Sequence, residues 1–160
     1  MRVTIHAVGR LKRGPESDLC DRYLDRFSKT GPSLGLDFAG LVETPESRAR
    51  DAQGRRREEA GKVRSMLDSG AALILLDETG NNFDSQALAA EIGGLRDIGV
   101  RDCLFAIGGP DGHDPSLRAD ARLVVSFGKL TWPHQLARIM LAEQLYRSAS
   151  ILAGHPYHRA

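Results

Sequence analysis

Apolar residues recur along this chain in rhythms that change from segment to segment. Arg2 to Val8 alternates polar and apolar positions and runs into Gly9, which predicts a strand and a turn. From Pro15 to Lys29, Leu19, Tyr23, Leu24 and Phe27 fall at helical spacing, and Gly31-Pro32 stops the pattern. Leu34 to Val42 predicts a second strand, weakened by Gly35 and Gly40. Pro45 to Asp68 is polar with few strand formers and predicts a long, largely solvated helix. Ala71 to Asp77 is short, continuous and apolar, as in a strand buried on both faces. A turn over Glu78 to Asn82 follows. Asp84 is placed to cap a helix from Ser85 to Asp97. Asp102 to Ile107 predicts another buried strand, leading into Gly108-Gly109-Pro110-Asp111-Gly112. A short helix from Pro115, a strand over Arg122 to Ser126 and a loop over Phe127 to Pro133 come next. The strongest helical pattern runs from Pro133 to Ala149, with proline in the first turn, and Gly154 closes it.

Strands alternate with helices throughout. That order predicts an α/β fold, a mostly parallel sheet with helices on both faces. The chain shows no repeat and no linker, so residues 1–160 are expected to form a single domain. At 160 residues, 41% hydrophobic and 27% charged, it has the composition of a globular protein with a real core. Cys20 and Cys103 stand 83 positions apart with no CxxC or Cys/His spacing, which supports neither a metal site nor a disulfide framework. The apolar runs are too short for a signal peptide or a membrane span. A reducing cytoplasm, without membrane or metal, is the expected setting.

Ligands of parallel α/β sheets bind beyond the carboxyl ends of the strands. Three such ends stand out: Leu76-Asp77 with Glu78 to Asn82, Gly108 to Gly112, and Ser126 to Trp132. GGPDG taken alone is a tight turn. It is neither a Walker A loop nor GxGxxG, which disfavours an NTPase. Trp132 fits a core or interface anchor, and His134 fits packing at the helix start. Glu143 fits two readings equally, a buried carboxylate paired with an arginine or a side chain on the wet face. The tail His155-Pro156-Tyr157-His158-Arg159 gathers two imidazoles, a phenol and a guanidinium. Such groups stack on bases, contact phosphate and move protons. The plainer reading is a tail that docks on its own domain through Tyr157.

Taken together, LLD (Leu75 to Asp77), IGGPDGH (Ile107 to His113), the run from Leu130 to Ser148 and HPYHR (His155 to Arg159) resemble the RlmH-type ribosomal RNA methyltransferases of the SPOUT class. The resemblance covers essentially the whole chain; the first half is less diagnostic. It implies an α/β knot, with the C-terminal segment threaded into a trefoil, and a homodimer. It implies S-adenosylmethionine as cofactor and methylation at N3 of a pseudouridine in large-subunit rRNA, on the ribosome. Carried over by position, the cofactor site comprises Leu76, Gly108 and the loop Phe127, Gly128, Lys129, Leu130, Thr131 and Trp132. Phe127, Gly128 and Lys129 look variable, so only their backbone roles carry over. Leu76 and Leu130 are expected to sandwich the adenine.

The N3 proton must leave and negative charge must be stabilised on the neighbouring carbonyls. Arg138, Arg159, His134, His155, Tyr157 and His158 are candidates. The tail residues His155, Tyr157, His158 and Arg159 are favoured, because so small an enzyme must build its RNA site from knot and tail. The sequence names no single general base. A non-catalytic ribosome-binding or assembly factor of the same fold is the main rival, and a related tRNA methyltransferase is a closer one. A P-loop enzyme or a GxSxG hydrolase has no motif here.

With 22 basic and 21 acidic residues, the net charge of +1 excludes a polycationic nucleic-acid coat. It hides a strong regional split, however. Residues 1–13 carry +4, residues 77–120 carry −6 and residues 129–160 carry +3. Arg48 to Arg64 adds seven cations against three acids. If these patches share a face, phosphate contacts are expected there.

Overall fold

The structure is a computed structural model and describes residues 1–157. Five strands form one sheet: β1 (Arg2–Val8), β2 (Asp37–Thr44), β3 (Ala72–Asn82), β4 (Asp102–Ile107) and β5 (Leu123–Ser126). Their order is β2-β1-β4-β3-β5, and every pairing is parallel. Five helices connect and cover them: α1 (Pro15–Thr30), α2 (Ala52–Ser65), α3 (Ser85–Asp97), α4 (Leu117–Asp120) and α5 (His134–Leu152).

The pleat divides the core in two, because successive side chains of a strand point to opposite faces. Val3, Ile5, Ala7, Ile74, Cys103, Phe105 and Ile107 pack with residues of α1, α3 and α5 on one face. Leu73, Leu75, Leu104 and Ala106 pack with Ala60 and Val63 of α2 and Leu117 of α4 on the other. The sheet is thus covered on both faces, as the alternation of elements predicts. Both thiols are buried, which pushes Cys20 up to about 11 and Cys103 up to about 12. Neither is suited to act as a nucleophile at neutral pH.

Three segments depart from the pattern reading. β2 begins at Asp37, because Gly31–Leu34 forms a 3-10 turn first. Gly31 lies so close to the next turn that a Cβ there would stand 2.2 Å from the Leu36 carbonyl oxygen. The polar helix is shorter than Pro45 to Asp68. It starts at Ala52, where Asp51 accepts a hydrogen bond from Gly54 N at 2.6 Å, and one side of it, with Glu59, Ala60 and Val63, is buried. Finally, Glu78 to Asn82 is not a free turn. β3 continues to Asn82 through an irregularity in which Leu76 and Asn81 both align with Val125. The end of β5 is therefore held by two stretches of the same strand.

Candidate active site

All five strands are parallel, so all their carboxyl ends lie along one edge of the sheet. A cleft of about 900 Å³ opens there, beyond β3, β4 and β5. Three loops wall it, and each is shaped by local chemistry.

The glycine loop folds back on itself, with Gly112 N donating to Gly109 O at 2.9 Å. A Cβ on Gly108 would meet the Gly112 carbonyl carbon at 3.1 Å, and one on Gly109 would meet Val8 at 3.0 Å and Glu59 at 3.1 Å. Gly112 has φ of 76°, which favours glycine. Arg55 grips this loop from α2, donating to Asp111 through Nε at 2.6 Å and Nη2 at 3.1 Å. That hydrogen bonding, with the guanidinium charge, holds the Asp111 carboxyl below the usual range.

The loop after β3 is organised by Asp77, which accepts from Thr79 N at 2.8 Å. Arg118 of α4 reaches the same carboxylate at 3.4 Å. Burial works against the Asp77 charge, but the Thr79 hydrogen bonds and Arg118 outweigh it, and the group stays ionised below its ordinary value. The loop after β5 is tied at both ends. Ser126 Oγ lies 3.1 Å from Glu78 O and 3.0 Å from Gly128 O. Trp132 Nε1 donates to Phe127 O at 3.2 Å.

Seven of the eight residues assigned to the cofactor by resemblance line this cleft: Leu76, Gly108, Phe127, Gly128, Leu130, Thr131 and Trp132. Lys129 belongs to the same loop but is not in the lining and faces solvent. Leu130 lines the cleft yet remains 69% exposed, so on this chain alone it leaves one side of the cleft open. His134 lines the cleft as well.

Neither His155 nor Tyr157 lines it. Tyr157 packs on α5, with its ring 4.6 Å from that of Tyr146 and the Arg147 guanidinium 5.0 Å from its centroid. Its hydroxyl donates to Glu143 Oε1 at 3.2 Å. Burial, with Tyr23 and Glu143 alongside, pushes the phenol up to about 12, so it stays protonated. His155 is exposed and accepts from Tyr157 N at 3.2 Å. His158 and Arg159 lie outside the described residues. Tyr157 thus docks on its own domain, as the plainer reading of the tail expects. Glu143 is the paired carboxylate, bonded to Arg147 Nε at 2.8 Å and 16% exposed.

Arg138 is a correction among the charge-stabilising candidates. It is 1% exposed and turned away from the cleft, bonded to Glu43 and, at 3.1 Å, to Gly9 O. Its buried charge clamps α5 to the ends of β1 and β2, and removing either partner would leave a charge stranded.

Arg56 and Arg118, which no sequence motif singles out, line the cleft together with Asp77 and His113, which stand in the quoted motifs without an assigned role. His113 sits 3.2 Å from Ala106 O, and burial lowers its pKa, so it is neutral near pH 7. Asp77 had a local sign in its place at a strand end, and His113 in its place directly after GGPDG. Arg56 and Arg118 look like any surface arginine until the chain is folded. Among the described residues no three His, Cys, Asp or Glu side chains gather as a metal site, and no helix is long and apolar enough to cross a membrane.

A parallel α/β sheet with a ligand-sized cleft of glycine-bearing loops at its carboxyl edge defines a small-molecule-dependent enzyme class. Residues 1–158 match the family described as "Predicted SPOUT methyltransferase", and the chain belongs to this family. A relative from Brucella anthropi, named ribosomal RNA large subunit methyltransferase H, is 62% identical over the full length of both chains. A relative of the same name from Rhizobium meliloti is 59% identical, again over both full lengths. A solved structure, the SpoU methyltransferase AviRb from Streptomyces viridochromogenes in complex with the cofactor AdoMet, matches with a TM-score of 0.37 at 13% identity. That match covers 92% of this chain and 57% of the other.

Proposed function

We propose that this protein transfers a methyl group from S-adenosylmethionine to N3 of a pseudouridine in large-subunit rRNA, acting on the ribosome in the cytoplasm. The observation that carries this reading is the single cleft formed by the three loops to which the family resemblance assigns the cofactor. Full-length relatives named for large-subunit rRNA methylation support the substrate.

The residues present fit the cofactor. Leu76, Ile107 and Val125 offer an apolar floor for a flat base, and the glycine loop brings backbone groups close enough to read its edge and ribose. When bound, the cofactor supplies a methyl group already activated on a sulfonium. The chain's own task is placement of the attacking nitrogen in line, which is a proximity effect. The N3–C bond forms as the C–S bond breaks, and the N3 proton passes to an acceptor. Donors aimed at the neighbouring carbonyl oxygens stabilise the charge that develops. In our reading His155, Tyr157, His158 and Arg159 supply those donors from a second subunit, because Tyr157 is bonded to Glu143 and neither it nor His155 lines the cleft of its own chain.

A homodimer is part of this reading. Leu130, Trp132 and Leu136, 69%, 40% and 41% exposed, form an apolar ridge on the loop after β5 and the first turn of α5. Beside it a second cleft of about 650 Å³, lined by Leu19, Tyr23, Phe83, Ile139 and Met140, lies between α1 and α5. The trefoil knot that the resemblance implies is also part of this reading.

Mass mapping of large-subunit rRNA from cells with and without the gene tests the reaction. One methyl group lost from one pseudouridine is the expected result. An unchanged rRNA with a changed tRNA would redirect the substrate. Calorimetry that detects no S-adenosylmethionine binding would favour the assembly-factor reading instead.

A further inference from the structure

The regional charges of the sequence are sorted by the fold. Arg2, which opens β1, pairs with Asp102 at 2.5 Å at the amino edge of the sheet, far from the cleft. Arg10, Lys12 and Arg13 follow β1 and so emerge at the carboxyl edge, exposed and without a carboxylate within 4 Å among the described residues. Arg48, Arg50, Arg56 and Arg57, between the end of β2 and the second turn of α2, are likewise without an ion-pair partner there. Arg56 also lines the cleft, and its Nε is buried without a hydrogen-bond partner.

The acids of this region are largely spent on the fold. Glu43 holds Arg138, and Asp51 caps α2. Glu58 accepts from Ser47 Oγ at 2.5 Å and Glu59 from Ser47 N at 2.9 Å, which pins the β2–α2 segment against its own helix. The Ala49 carbonyl accepts from Arg55 at 3.2 Å, and Arg55 in turn grips the glycine loop. Glu46 alone of the acids between 43 and 59 has no such bond. The segment that carries Arg48, Arg50, Arg56 and Arg57 is therefore tied to the wall of the cleft, which Arg56 lines.

We infer that this row, Arg48, Arg50 and Arg57 with the cations of the β1–α1 loop, is the track on which the phosphate backbone of the substrate RNA lies while its target base enters the cleft. A nucleotide cannot enter without bringing its flanking phosphates to the rim, where Arg56 lines the cleft and Arg57 follows it in the chain. Phosphate contacts of this kind set register and affinity and carry no sequence information. The inference rests on the rRNA methyltransferase reading and names the surface by which that substrate is held.

The test uses methyl transfer from labelled S-adenosylmethionine to large subunits purified from cells lacking the gene. Arg48→Glu/Arg50→Glu and, separately, Arg57→Glu are compared with Arg101→Glu/Arg122→Glu, a charge reversal at the amino edge, which the row does not include. The row variants are expected to raise KM for the subunit about tenfold. Their salt dependence should be shallower, by roughly 0.7–0.9 in log–log slope for each phosphate no longer neutralised. Their kcat and their S-adenosylmethionine affinity by calorimetry should match wild type, and so should the amino-edge control. An equal effect in the control, or an unchanged KM in the row variants, overturns the proposal, as does weakened cofactor binding. Protein-free large-subunit rRNA is added as a competitor. If it competes equally against wild type and row variants, the row faces an acidic ribosomal protein and the RNA assignment falls. No transfer by wild type would overturn the functional reading itself, a result distinct from all of these.

Discussion

His6 lies on β1, between β2 and β4, with no exposed surface, bonded through Nε2 to Thr44 Oγ1 at 3.0 Å, while its Nδ1 has no partner among the described residues. Burial, reinforced by His113, Lys62 and Arg138, lowers its pKa to about 4. His113 is lowered by burial as well. Both rings bind protons more readily in the unfolded chain, near the ordinary value of 6.5. Their contribution to stability is therefore complete above that pH and is lost as pH falls below 6.5, for His6 towards about 4. Urea unfolding between pH 7 and pH 5 should show stability falling with acid, by up to about 1.4 kcal/mol per pH unit for each histidine. His6→Val should flatten the dependence; an unchanged slope would show that His6 is not the titrating group. At this scale the sequence was legible where a residue's place follows from a strand end, as for Leu76 and Gly108. It was not legible for His6, which alternation placed among the polar positions. A strand between two others is covered on both faces, so its polar positions are buried too. Arg138 escaped for a related reason: its partner Glu43 is 95 positions away and no local pattern links them.

Between elements, the least legible feature is the return of β3 onto β5. Glu78 to Asn82 reads as a turn because its residues are turn formers. Only the fold shows Gly80 pressed against another strand, where a Cβ would stand 2.7 Å from the Val125 carbonyl carbon and 2.8 Å from the Val124 carbonyl carbon and oxygen. These are backbone atoms and cannot rotate away. Gly80→Ala should therefore cost about 2 kcal/mol, in the range of overpacking, and should also weaken cofactor binding, since Asp77 to Thr79 wall the cleft. Denaturation and calorimetry on one preparation check both effects. A fully stable variant with normal binding would mean that the segment tolerates displacement. The helices α1 and α3, by contrast, were legible almost to the residue, because apolar spacing is local, whereas α5 runs on past the expected Ala149 to Leu152. Asp84 does accept from Ala87 N, at 2.7 Å.

For the whole molecule, the relation that decides the mechanism is between cleft and tail. Tyr157 is anchored to Glu143, Tyr146 and Arg147 on the flank of α5, and the cleft of the same chain receives neither His155 nor Tyr157. If two chains associate through the apolar ridge of Leu130, Trp132 and Leu136, the tail that begins at His155 can complete the partner's site. An isologous interface would make the exchange reciprocal. Tyr157→Ala, like His155→Ala or Arg159→Ala, should then cut methyl transfer strongly while cofactor binding stays nearly intact. Gly108→Val, which crowds the glycine loop against Gly112, should lose the cofactor and be inactive for that separate reason. Unfolding and remixing equal amounts of the two inactive chains discriminates between a tail acting within its chain and one acting across the dimer. Across the dimer, half of the dimers are mixed and each holds one intact site, so activity should return to about a quarter of wild type. Within the chain, every site lacks either tail or cofactor and no activity returns. Sedimentation of each variant as a dimer must accompany the assay, because a stable monomer with full activity would remove the partner from the mechanism altogether.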